Sequence, residues 1–263
     1  MSQSFDVATT WSTGPDGEPT LELDPGWGQG RTTFGGLVAA AALRAMRTVA
    51  PERALRALSV CFVGPTGAGP LRPRVQLLRR GRSVAQVRCD LTVGEAIVAT
   101  LVGVFCDAGS STVVRRPRIE PPARGGGLVM PYIEGITPCF TQHIELCWTD
   151  GGLPFSGNDR LEHAGWCRHR AAAGPAEAAI LGLLDAWPAP ALQALRGHAP
   201  ASTVTWTVHL LRIPATITPD DWFYLQARVV GAEGDGLCTM RAELYDEAGG
   251  LIAHLEQLVA LYG

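Results

Sequence analysis

Asp24-Pro25-Gly26-Trp27-Gly28-Gln29-Gly30-Arg31-Thr32-Thr33-Phe34-Gly35-Gly36 runs directly into an alanine-rich stretch from Leu37 to Val49. The glycine pair lets the backbone turn sharply and approach a neighbour closely. Leu37-Val38-Ala39-Ala40-Ala41-Ala42-Leu43 then favours helix with very small side chains. With alanine on nearly every face, that helix has no wide polar side and reads as buried. Four strand-like segments follow, and a sheet curled around one central helix is the simplest way to bury it.

Before the loop, Thr20-Leu21-Glu22-Leu23 reads as a strand between Pro19 and Pro25. After Pro51 stops the helix, Leu58 to Val63 reads as a strand ended by Gly64-Pro65, and Arg74 to Leu78 as a second. Ala85, Val87, Cys89 and Leu91 alternate with Gln86, Arg88 and Asp90, the period of a half-buried strand. Gly94 turns the chain into a fourth, almost wholly apolar strand from Ile97 to Phe105.

From Asp107 to about Pro138 the composition shifts to glycine, serine and proline, which predicts a linker long enough to pack across the surface and border a site. Beyond it the pattern repeats. Gln142 to Trp148 and Ala164 to Arg170 are strand candidates, and Pro175 to Asp185 is a helix with proline at its first turn. Thr203 to Leu211, Trp222 to Val230, Leu237 to Tyr245 and Leu251 to Leu261 are four more strands. Ile97-Val98-Ala99 and Leu251-Ile252-Ala253 occupy equivalent places after a turn, so the chain is two copies of helix plus sheet. The expectation is an α+β double hotdog: an N-terminal unit over 1–107, a linker over 108–138 and a C-terminal unit over 139–263.

The 263 residues are enough for two cores of about 100 to 130 residues each. All 22 basic residues are arginine. Lysine-dependent chemistry, whether a Schiff base or a nucleotide P-loop, is therefore excluded. A net charge of -3 gives no electrostatic case for nucleic acid or an anionic membrane. No apolar run approaches the ~18 to 20 residues of a membrane span. The N-terminus has neither the basic region nor the apolar core of an export signal, so a cytoplasmic location is expected. The seven cysteines lack Cys-x-x-Cys spacing, which argues against zinc and against a disulfide framework, and reads as buried thiols. No metal or cofactor is expected.

Nucleophile elbows, metalloprotease helices and dinucleotide fingerprints are absent. What stands out is polar residues on apolar faces. Gln257 interrupts the row Leu251, Ala253, Leu255, Val259, Leu261, and a buried amide without partners would cost roughly 1 to 3 kcal/mol. Asp185 follows Ala178 and Leu181 on a helix-core stripe at a helix C-terminus, where burial and the dipole both raise a carboxyl pKa. Thr203 falls by alternation with Thr205, Thr207 and His209 on the more polar row. His143, His163, His169 and His209 have no metal spacing with one another.

Phe34-Gly35-Gly36 before an alanine-rich helix, Leu77-Leu78-Arg79-Arg80-Gly81-Arg82-Ser83 before an alternating strand, and the Gln257 strand near the C-terminus resemble the double-hotdog acyl-CoA thioesterases, the type II or thioesterase-like family. The resemblance runs from Gly28 to Leu261, although Asp150 to Arg160 has no counterpart in it. In that family an aspartate, a threonine and a glutamine of the second hotdog hold the water that attacks the thioester. Asp185, Thr203 and Gln257 occupy the matching positions.

The resemblance implies hydrolysis of acyl-CoA without a covalent intermediate. Asp185 would act as base, Thr203 and Gln257 would fix the water, and helix N-terminal backbone at Gly35 and Gly36 would bind the substrate. Arg79, Arg80 and Arg82 are candidates for the CoA phosphates. Edge-to-edge sheet pairing predicts a homodimer or larger homo-oligomer. A non-catalytic acyl-CoA-binding protein on the same fold is one alternative. An enoyl-CoA hydratase using Asp185 with His198 is another.

Overall fold

The structure is a computed structural model and describes residues 2–67 and 69–262. Its core is one eleven-stranded sheet carrying two helices. In chain order these are α1 (Gly35–Met46), β1 (Ala54–Phe62), β2 (Leu71–Arg80), β3 (Val84–Val93), β4 (Ala96–Cys106), β5 (Leu128–Val129), β6 (Ile144–Asp150), β7 (Glu162–His169), α2 (Ala176–Asp185), β8 (Ala201–Leu210), β9 (Phe223–Ala232), β10 (Leu237–Asp246) and β11 (Leu251–Leu261). The spatial order is β2-β3-β4-β1-β8-β11-β10-β9-β7-β6-β5, antiparallel throughout. The order β2-β3-β4-β1 is mirrored by β8-β11-β10-β9 across the β1/β8 junction, so the internal repeat is a structural one. The architecture is the double hotdog expected from sequence.

Both helices lie on the same face, and every alanine from Ala39 to Ala42 is fully buried. Small residues let the two helix backbones approach. A Cβ added at Gly36 would stand 3.0 Å from the Cα of Gly182. At the opposite end Arg47 pairs with Glu177, whose other oxygen accepts the Leu55 N–H at 2.8 Å. The helices therefore run antiparallel, with the start of α1 beside the end of α2.

Two local expectations change. Thr20 to Leu23 does not form a strand along β2, and only Leu21 bridges Leu71. The next hydrogen-bonded pair outward would set Pro19 opposite Pro73, neither of which has an N–H to donate. Residues 5–8 instead form a short helix, and Ser12–Thr13 pairs with Pro19–Thr20. Cys61 is exposed on the sheet face without helices, whereas Cys89, Cys147, Cys167 and Cys238 are buried. The stretch after Asp107 crosses the β10–β11 turn, where Arg118 bridges Gly250, before Leu128–Val129 pairs with Cys147 and Trp148 at the sheet edge.

Candidate active site

Asp185 is the last residue of α2, and its neighbours on the stripe, Ala178 and Leu181, are fully buried. The end of α2 brings the carboxylate against the start of α1. A Cβ at Gly35 would lie 2.8 Å from Oδ2 of Asp185 and 3.1 Å from the Phe62 ring, so a side chain there would displace the carboxylate or the ring. The N-cap position, Phe34, supplies no side-chain cap, while its carbonyl accepts the Leu37 and Val38 N–H groups at 3.1 and 3.2 Å. Gly36 donates its backbone hydrogen bond to Asp185.

Gln257 comes from the sheet below. Its row across the helix-covered face is Met240, Gln257, Trp206, Val60, Leu101 and Cys89, apolar apart from the amide. The amide Nε2 donates to Oδ1 of Asp185 at 3.2 Å. The buried glutamine that the sequence pattern made anomalous thus meets the half-buried carboxylate that it made anomalous. Burial pushes the Asp185 carboxyl up to about 7, against the opposing pull of the Gly36 and Gln257 hydrogen bonds. Asp185 sits between the unfavourable C-terminus of its own helix and the favourable N-terminus of α1, and desolvation dominates.

Thr203 is on the same face as Gln257, contrary to the alternation argument. The register of β8 with β11 slips between Thr203 and Thr205, so Val204 is an extra, bulged residue. Directly opposed residues share a face, and Thr203 opposes the buried Val259, two positions from Gln257. Among the described residues Thr203 makes no side-chain hydrogen bond to Asp185 or Gln257. An equivalent bulge in β1, between Leu55 and Ala57, makes Leu55 the counterpart of Thr203 and Gly103 the counterpart of Gln257. The first repeat lacks the polar pair.

Arg79, Arg80 and Arg82 are not brought to this site within the chain. Arg80 donates to the Val49 carbonyl beyond the C-terminus of α1, and Arg53 donates to the Arg82 carbonyl at 2.8 Å. That end is separated from Gly35 by the length of a twelve-residue helix, about 18 Å. His198 is exposed and packs on Phe155 with ring centroids 5.2 Å apart, so it is not the partner of Asp185. An open cleft of about 300 Å³ lies between Leu128, Trp148 and Arg160, and none of Asp185, Thr203 or Gln257 lines it. Sequence reasoning also missed Phe62, whose ring stands against Gly35, since an aromatic residue in a strand carries no signal beyond core packing.

Residues 23–106 match a model of the acyl-CoA thioesterase N-terminal domain, and residues 117–261 match one of the acyl-CoA thioesterase C-terminal domain. Among solved structures, a conserved protein of unknown function with a hot dog fold from Alicyclobacillus acidocaldarius superposes with a TM-score of 0.83 at 23% identity, over 100% of this chain and 99% of that one. The acyl-CoA thioesterase II TesB2 of Mycobacterium marinum gives 0.75 at 18% identity over 99% of both chains. The tesB protein of Mycobacterium avium subsp. paratuberculosis gives 0.75 at 17% over 97% of both. A search of curated proteins returned no significant match. These likenesses establish the fold, and the two family matches cover both repeats, including the segments that carry Gly35, Asp185 and Gln257: the chain belongs to the acyl-CoA thioesterase family.

Proposed function

We propose that the protein hydrolyses acyl-CoA thioesters to free acid and CoA by direct attack of a water molecule held at Asp185 and Gln257. The observation that carries this reading is the 3.2 Å contact between the two side chains, beside the N-terminus of α1, with the carboxyl pushed up to about 7. A base of that pKa is half ionised near neutral pH and accepts a proton from water without a large driving-force penalty. Gln257 fixes the carboxylate, and Thr203, on the same face of the sheet, is assigned to orient the water. The first-turn N–H of Gly35 is the donor assigned to the developing oxyanion. A thioester carbonyl is electrophilic enough that no serine or cysteine nucleophile is needed.

Free-thiol release from short, medium, long and aromatic acyl-CoAs, compared between wild type and Gln257→Ala, tests the reading. Release that depends on Gln257 supports it. Saturable acyl-CoA binding with no release from any substrate would replace it with a binding protein.

A further inference from the structure

Two histidines of β7, His163 and His169, are buried, at 3% and 1% exposure. Each gives one ring nitrogen to the segment that carries Asp185. His169 Nε2 donates to the Ala179 carbonyl at 2.9 Å, inside α2. His163 Nε2 donates to the Pro188 carbonyl at 2.9 Å, three residues beyond Asp185. A carbonyl only accepts, so both rings carry their proton on Nε2. The Nδ1 atoms have no partner among the described residues. An apolar side chain would fill either position without leaving a buried nitrogen unpaired, so the Nε2 contact is what accounts for a histidine there.

The turn that leaves α2 is held against β6 and β7. The buried Trp187 ring stacks on His163, with centroids 5.3 Å apart and 22° between the planes, and packs on Trp148 at 4.5 Å. It lies so close to β7 that a Cβ added at Gly165 would meet it at 2.4 Å. Asp185 takes its own hydrogen bonds from Gly36 and Gln257, both on other elements. Where the carboxylate stands between them is set by where this turn is fixed.

We infer that His163 is a positioning residue for the reaction: through the Pro188 carbonyl and the Trp187 ring it fixes the end of α2 and so holds the Asp185 carboxylate against Gln257 and the start of α1. The inference rests on the thioesterase reading of the Asp185 site. Misplacing a catalytic group by about 1 Å can cost ~10²-fold in rate, even when the change is remote from the chemistry. Burial brings the His163 ring down to about 4 against the pull of Asp150, the charged group that faces it. The ring therefore stays neutral, and the contact constant, over the range in which Asp185 titrates.

The test compares His163→Phe, which keeps a ring against Trp187 and removes the N–H, with His163→Gln, whose amide nitrogen can reach the same carbonyl. Thiol release is measured as kcat, KM and pH profile, per folded molecule. In His163→Phe, kcat should fall roughly 10- to 100-fold with KM within about 2-fold of wild type. The acid limb of its profile should move to lower pH, because a released carboxylate gains water. His163→Gln should recover most of the loss. A role in stability alone changes the amount of folded enzyme and not the acid limb. Wild-type kcat and acid limb in folded His163→Phe, or equal losses in the two variants, overturn the inference. Where His163→Phe does not fold, Trp187→Phe thins the same stack from the side of the turn. It should lower kcat and move the acid limb in the same direction, and wild-type values for both refute the inference. The Asp185 ¹³Cγ titration in wild type and variant reads the carboxyl with no substrate present. A lower midpoint in the variant supports the inference and an identical one overturns it. Absence of thiol release by wild type overturns the thioesterase reading instead.

Discussion

Gln257 and Asp185, 72 residues apart in sequence, meet through a hydrogen bond from Nε2 to Oδ1 at 3.2 Å. Neither side chain belongs where it is on hydrophobic grounds. The amide interrupts a row that is otherwise methionine, tryptophan, valine, leucine and cysteine, and the carboxylate ends a stripe of alanine and leucine. Each supplies what the burial of the other requires. Removing Gln257 leaves the carboxylate with only the Gly36 backbone hydrogen bond against desolvation, so the pair acts as a unit.

The start of α1 gives a prediction that separates chemistry from folding. In Gly35→Ala the new Cβ meets Asp185 Oδ2 at 2.8 Å and the Phe62 ring at 3.1 Å, both side-chain atoms able to shift. The protein should fold, with kcat/KM at least ~10-fold lower because the carboxylate is displaced. In Gly36→Ala the obstruction includes the Cα of Gly182 at 3.0 Å, which is backbone. That variant should lose about 1 to 3 kcal/mol in urea unfolding. Equal stability of the two variants would contradict the tight helix–helix approach.

The pH profile is the second. With the Asp185 carboxyl at about 7 and required as the anion, kcat/KM should rise tenfold per pH unit on the acid side and level off above about pH 7. A rate already level at pH 5 would show that the ionised group has an ordinary carboxyl pKa.

Stability should depend on pH in two opposite ways. His163 and His169 are buried and neutral, each brought down to about 4 by desolvation. The unfolded chain binds more protons than the folded one between about 6.5 and 4, so their contribution is lost as pH falls through that window. Asp185 is raised from 3.8 to about 7, so there the folded chain binds more protons and stability falls as pH rises from 3.8 through 7. Asp185→Asn should therefore be more stable than wild type at pH 8, by an amount on the order of a few kcal/mol, and the gain should vanish near pH 4. Urea midpoints across pH 4 to 8 for both proteins measure this. A variant less stable than wild type at pH 8 would contradict a carboxylate whose desolvation outweighs its hydrogen bonds.

The fold was legible because its signals are periodic. Alanine on every face of α1 can only mean a helix enclosed on all sides, and alternation over Ala85 to Leu91 and Cys238 to Leu244 fixes which faces are buried. Gln257 and Asp185 were legible as exceptions to those periods. Thr203 was not, because a bulge at Val204 adds one residue to β8 and reverses the facing of everything before it, and no residue type announces a bulge. The edge next to β2 failed as a strand through the coincidence of two prolines that become neighbours only in the register. Arg80 was a charge in a suggestive motif, and what decides its role is the carbonyl of Val49, at the far end of the helix from Asp185.

The most direct measurement is thiol release by Asp185→Asn at pH 8, with the same acyl-CoA that wild type hydrolyses best and with folding verified by circular dichroism. The carboxamide is isosteric and has no basic oxygen. General-base catalysis predicts a kcat lower by ~10²- to 10⁴-fold with the fold intact. Wild-type turnover by the folded variant would contradict the assignment of Asp185 as the base.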